Sequence, residues 1–120
     1  MSTTTAPWPT EVRLKADKKT LTVAFDDGRS FDIPAELLRV RSPSAEVQGH
    51  GAGQRRTIGG KRNVQILGVE PVGSYAVRLR FDDMHDTGIF PWGLLREMGE
   101  RRDAFFEEYV AELAEKGLSR

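Results

Sequence analysis

The sequence predicts an α+β fold: a small antiparallel β-rich sheet, a meander plus a hairpin, packed by a short helix and a C-terminal amphipathic helix. Three patterns predict it. Apolar and polar residues alternate early in the chain, at Val12 and Leu14 and again at Leu21, Val23 and Phe25. A second alternating run follows the Gly73-Ser74 turn, with Tyr75, Val77, Leu79 and Phe81 set against Ala76, Arg78 and Arg80. From Trp92 the apolar period becomes helical. Strands grouped ahead of helices are the mark of an α+β arrangement.

The elements follow in order. Glu11 to Ala16 and Leu21 to Phe25 form a hairpin across the short polar Asp17-Lys18-Lys19. Asp26-Asp27-Gly28 is a second tight turn, with Gly28 free to take a positive φ. Ser30 to Ile33 returns as the third strand. Pro34-Ala35-Glu36-Leu37-Leu38 opens a short helix, since proline suits a first turn. That helix ends near Arg41, because Pro43 disfavours helix at Ser42. A glycine-rich loop spans Gly49 to Gly60, long for so small a domain. Asn63 to Pro71 and Tyr75 to Phe81 form the later hairpin, and Gly88-Ile89-Phe90 is a short extended piece. Leu94, Leu95 and Met98 make one helical face, which Gly99 breaks or bends. Phe105, Phe106, Tyr109, Val110 and Leu113 then form one apolar stripe, and Gly117 is a natural stop. Residues 1–9 are expected to be a flexible tail and residues 10–117 a single domain. Trp92 is expected to anchor helix on sheet rather than to stand free as a recognition residue.

Composition narrows the function. The 120 residues carry 18 Lys+Arg against 18 Asp+Glu, so no excess of positive charge marks a nucleic-acid binder. The basic group Arg55-Arg56 with Lys61-Arg62 is local. There is no cysteine, which excludes disulfides, thiolate metal sites and cysteine catalysis. No run approaches the roughly 18 apolar residues of a membrane span, and residues 1–9 lack the apolar core of a signal peptide. A cytoplasmic protein is expected.

Two segments carry the candidate chemistry. The first is Leu37 to Gly51, with Ser42, Ser44, Glu46, Gln48 and His50; the second is Phe81 to Trp92, with Asp83, His85 and Asp86. Both histidines of the protein lie in them. A carboxylate beside a histidine can orient it, raise its pKa or share a metal with it, or the pair can simply hold a turn. The serine hydroxyls suit backbone capping where the helix ends. No G-x-S-x-G elbow supports a hydrolase. Gly59-Gly60-Lys61 is followed by Arg62 rather than Ser or Thr, so it is not a phosphate loop. Two histidines and a carboxylate match an iron facial triad by inventory alone.

These same segments, with Glu70-Pro71-Val72-Gly73, resemble the gamma-butyrobetaine hydroxylase-like N-terminal domain, and the resemblance runs from about Pro9 to about Leu113. In iron/2-oxoglutarate hydroxylases that carry this domain, the first segment reads leucine-arginine-aspartate-asparagine-Cys-x-Cys-x-x-Cys and the second aspartate-glycine-histidine. Three cysteines and the histidine hold zinc there. In this chain those positions fall on Ser42, Ser44, Val47 and His85. The resemblance therefore implies the scaffold without most of the metal ligands. It also implies no catalytic iron, because the hydroxylases keep theirs in a separate barrel domain. Similar domains are fused to P-loop iron–sulfur carriers in plastids. The resemblance thus points to a non-catalytic accessory module with a protein partner, an iron–sulfur carrier or an iron enzyme, without cofactor or metal. The alternative is a metal-binding domain associated with an iron/2-oxoglutarate oxidoreductase.

Overall fold

The computed structural model describes residues 8–44 and 57–120. Its elements are β1 (Pro9–Leu14), β2 (Thr20–Phe25), β3 (Ser30–Pro34), α1 (Ala35–Val40), β4 (Ile66–Val72), β5 (Ala76–Phe81), β6 (Gly88–Pro91), α2 (Trp92–Glu100) and α3 (Arg102–Lys116). The α+β class is as expected. The strands divide into two three-stranded antiparallel sheets, ordered β1-β2-β3 and β4-β5-β6. The short piece after the acidic turn is a true strand, pairing Phe90 with Val77 and Ile89 with Arg78.

Turn chemistry sets the register. Gly28 sits at φ 86° and closes the β2–β3 turn with its N–H on the Phe25 carbonyl at 3.1 Å. The β1–β2 turn places Lys18 at φ 62°, and the Asp17 carboxylate accepts the Lys19 N–H at 2.9 Å. That turn also joins the two sheets. Its Lys18 carbonyl accepts the Ile66 N–H at 2.8 Å, and its Lys19 carbonyl accepts the Ala35 N–H at 2.8 Å.

The core lies between the sheets and helices. Leu21, Val23 and Ile33 of the first sheet meet Leu37 and Leu38 of α1, Leu79, Phe81 and Phe90 of the second sheet, and Leu95, Met98 and Tyr109 of the C-terminal helices. Helix α1 is buried on nearly every side, with only Arg39 reaching partway out. Tyr109 and Leu113 are the deepest residues of the α3 stripe; Phe105 and Phe106 are half-buried, and Val110 faces solvent.

The C-terminal region departs from expectation at one residue. Gly99 stays inside α2, and the chain turns at Arg101 instead. Gly99 serves packing: a Cβ there would lie 2.6 Å from the Phe31 ring. Arg96 of the same helix fixes the β2–β3 turn. Its guanidinium lies 5.0 Å from the Phe25 ring and 5.2 Å from the Phe31 ring, and bonds Asp27 at 2.8 Å and Glu100 at 2.8 Å. Gly117 ends α3 at φ 69°, with the Leu118 N–H returning to the Leu113 carbonyl at 2.8 Å. Trp92 packs partly against the core and donates its indole N–H to the Ser74 carbonyl at 2.8 Å. Among the described residues no helix is long and apolar enough to cross a membrane.

Candidate functional site

The end of α1 and the β5–β6 turn come together at His85. Arg41 closes α1, its N–H on the Leu37 carbonyl at 3.0 Å, and the chain passes through Ser42 and Pro43 to Ser44. From the other side, the turn after Phe81 is closed twice. The Phe81 N–H reaches the His85 carbonyl at 2.9 Å, and the Met84 N–H reaches the Phe81 carbonyl at 3.2 Å. The His85 Nε2 then lies 3.0 Å from the Ser42 hydroxyl and 3.3 Å from that of Ser44. Ser42 also accepts the Ser44 N–H at 3.4 Å. All three side chains are buried, Ser42 completely. Gly88 makes this possible, because a Cβ there would run into the Ser42 hydroxyl.

Asp83 is anchored beside this cluster. Arg39 bonds it at 2.7 Å and Lys61 at 2.6 Å, and it accepts the His85 N–H at 3.2 Å. Burial alone would raise its pKa. The bonds from Lys61, Arg39 and the His85 backbone outweigh burial and bring it down to about 2. Asp82 and Asp86 are exposed. Glu46, Gln48 and His50 lie outside the described residues, so the site as drawn from sequence is seen only at Ser42, Ser44, Asp83, His85 and Asp86.

The geometry limits the chemistry. A histidine 3.0 Å from a serine hydroxyl has the spacing of a nucleophile and its base. Here the serine is fully buried, and no substrate carbonyl can approach its hydroxyl. Zinc does not fit this donor set. Two neutral hydroxyls stand in place of thiolates beside the one retained imidazole, and the third cysteine position is Val47, which offers no donor. Among the described residues no three His, Cys, Asp or Glu side chains are placed to hold a metal ion. The Ser42–Ser44–His85 cluster instead ties the end of α1 to the second sheet through polar groups that satisfy one another.

Sequence reasoning missed the cations. Arg39 was given no role and Lys61 only a place in a local basic group, yet both close on Asp83 from afar in the chain. It also missed a buried carboxylate. Glu36 accepts the Tyr109 hydroxyl at 3.0 Å and two bonds from Arg120, at 3.0 and 2.8 Å. Burial first, and the neighbouring Glu36 second, push the Tyr109 phenol upward. In sequence nothing sets Glu36 apart from other residues of the short helix. A polar pocket of about 330 Å³ adjoins the Asp83 network, lined by Lys61, Arg62, Asn63, Asp82 and Arg120 among others.

Comparison with known proteins accords with the fold. One solved relative, an NMR solution structure, is 49% identical, covers 95% of this chain and 90% of its own, and superposes with a TM-score of 0.81. A second NMR solution structure is 41% identical over 100% of this chain and 89% of its own, with a TM-score of 0.83. A crystal structure from Acidithiobacillus ferrooxidans ATCC 23270, a protein of unknown function in the DUF971 family, is 36% identical. It covers 76% of this chain and 91% of its own, with a TM-score of 0.64. No match was found among curated proteins. The family model for "Gamma-butyrobetaine hydroxylase-like, N-terminal" matches residues 12–96. With a family model matched over most of the chain and solved relatives of the same scaffold, the chain belongs to the gamma-butyrobetaine hydroxylase-like N-terminal domain family.

Proposed function

We propose that this chain is a non-catalytic accessory module that docks on a protein partner in the cytoplasm, the partner being an iron–sulfur carrier or an iron enzyme. One observation carries the non-catalytic part. The groups that could do chemistry are spent on structure: Ser42, Ser44 and His85 are buried against one another, and Asp83 is neutralised by Arg39 and Lys61. What faces solvent beside this cluster is the turn that carries Asp82, Met84 and Asp86, and loops held by a sheet are where recognition residues gather. The choice of partner is supported by the company the family keeps, hydroxylases on one side and iron–sulfur carriers on the other.

Two measurements test the proposal. Elemental analysis of the purified protein is expected to find far less than one zinc per chain; a full equivalent that resists mild chelation would overturn the reading. Calorimetric titration against the purified P-loop iron–sulfur carrier and iron hydroxylases of the same cell is expected to give saturable binding to one of them. Heats of dilution alone against every one of them would remove the partner assignment.

A further inference from the structure

Residues 117–120 follow α3 and fold back onto the body of the protein. Leu118, Ser119 and Arg120 are exposed, yet the last two each meet a fixed group. The Gly60 N–H donates to the Ser119 carbonyl at 2.8 Å. A Cβ at Gly59 would lie 2.6 Å from that same carbonyl, so the Ser119 backbone comes this close only because residue 59 is glycine. The Gly59-Gly60 step, which does not read as a phosphate loop, thus serves as a platform for a peptide backbone. Arg120 fits a second receptor. Its Nε and Nη2 donate to the two oxygens of Glu36 at 3.0 and 2.8 Å, and its guanidinium carbon lies over the Phe106 ring, 4.8 Å from the centroid. The Tyr109 hydroxyl fixes the same carboxylate at 3.0 Å.

The receptor groups are built into the fold, and the occupant is not. The Glu36 side chain is 5% exposed, whereas that of Arg120 is 35% exposed. Glu36 belongs to α1, and Phe106 and Tyr109 belong to α3, so all three stay in place when the tail leaves. The buried carboxylate would then lack the cation that bonds it, a costly state that favours capture of another. Two carboxylate oxygens beside an aromatic face select a guanidinium over an ammonium. We propose that Glu36, Phe106, Tyr109 and the Gly59-Gly60 platform form a binding site for an arginine-containing peptide, which residues 118–120 of the chain itself fill when that ligand is absent. Arg120 also lines the polar pocket of about 330 Å³, which gives the ligand its approach. The site is separate from the His85 cluster, and neither that cluster nor an iron partner enters the argument.

Variants of the full chain test the proposal, with the tripeptide Leu-Ser-Arg, blocked at both ends, as the probe. Arg120→Ala should bind it saturably, and the Gly60 amide NMR signal should move toward its position in the parent. Leu-Ser-Lys should bind at least about 10-fold more weakly, because an ammonium cannot reproduce the paired bonds to Glu36. The parent should need at least about 10-fold more Leu-Ser-Arg than the variant, since its own tail competes at an effective concentration on the order of millimolar. Gly59→Ala added to Arg120→Ala should weaken binding by about 10-fold or more, its methyl standing where the peptide carbonyl docks. If Arg120→Ala does not fold, Arg120→Lys, which keeps a charge at Glu36, takes its place with the same expectations. No binding to the folded variant, equal affinity for both tripeptides, equal affinity of parent and variant, or indifference to Gly59→Ala would each overturn the proposal. A concentration-dependent dimer of the parent that Arg120→Ala breaks would overturn it in favour of tail exchange between two copies.

Discussion

Replacing Tyr109 by phenylalanine removes one oxygen from the middle of the protein, and its cost can be worked out from the structure. The ring is fully buried, and its hydroxyl donates to the Glu36 carboxylate at 3.0 Å, itself almost wholly enclosed. A hydrogen bond to a charged acceptor contributes about 1.5–3 kcal/mol. Arg120 still supplies two bonds to Glu36 in the variant, so the carboxylate is not left alone and the low end applies, roughly 1.5 kcal/mol. Tyr109→Ala also loses the ring and leaves a cavity, for a total of roughly 4–5 kcal/mol. Urea unfolding followed by far-UV circular dichroism measures both, provided the slope m is unchanged. There is a pH signature as well. The native phenol holds its proton above the ordinary tyrosine range, so parent stability is full below about pH 10 and declines as pH rises beyond it. Tyr109→Phe should lack that contribution to the decline. A Tyr109→Phe protein as stable as the parent, with the same alkaline profile, would refute the placement of this hydroxyl on a buried carboxylate.

Further predictions come from single contacts. Asp83→Asn should remove an acid-labile contribution: the parent's stability from Asp83 is present above about pH 4 and lost as pH falls toward 2, on the order of 1 kcal/mol after solvent screening, read from Tm against pH. Gly88→Ala should destabilise by roughly 1–3 kcal/mol because its methyl meets the Ser42 hydroxyl, and Ser42→Ala should recover part of that loss in the double variant. Gly99→Ala lies within a helix, where alanine ordinarily gains up to about 1 kcal/mol. Contact with Phe31 reverses the sign here, so its melting temperature should fall. Phe106→Ala, on a half-buried ring, should cost less than Tyr109→Ala in the same urea assay.

The strands were legible because period-two alternation at Val12–Leu14, Leu21–Phe25 and Val77–Phe81 is a local signal. The helices were legible for the same reason. The division into two sheets was not, because which strands pair, and the Ile66 N–H to Lys18 carbonyl bond that bridges the sheets, are settled between residues far apart in sequence. Gly99 was misread as a helix breaker since sequence reveals its propensity but not the Phe31 ring that needs its missing side chain. At the site, the motif pointed to Ser42, Ser44 and His85, and spacing could not reveal that they would be enclosed together. Arg39 and Lys61 carried no signal at all, because an ion pair spanning 44 positions, such as Arg39 with Asp83, leaves no periodic trace.

Arg96 has a consequence for behaviour in brine. At 1 M salt the Debye length shrinks to about 3 Å, and exposed pairs such as Arg101 with Glu97 lose most of their attraction. Arg96 is 14% exposed and lies against the faces of two aromatic rings, a contact made partly of dispersion and shielded from ions by its own neighbours. The β2–β3 turn therefore stays fastened to α2 at ionic strengths that loosen the rest of the charged surface.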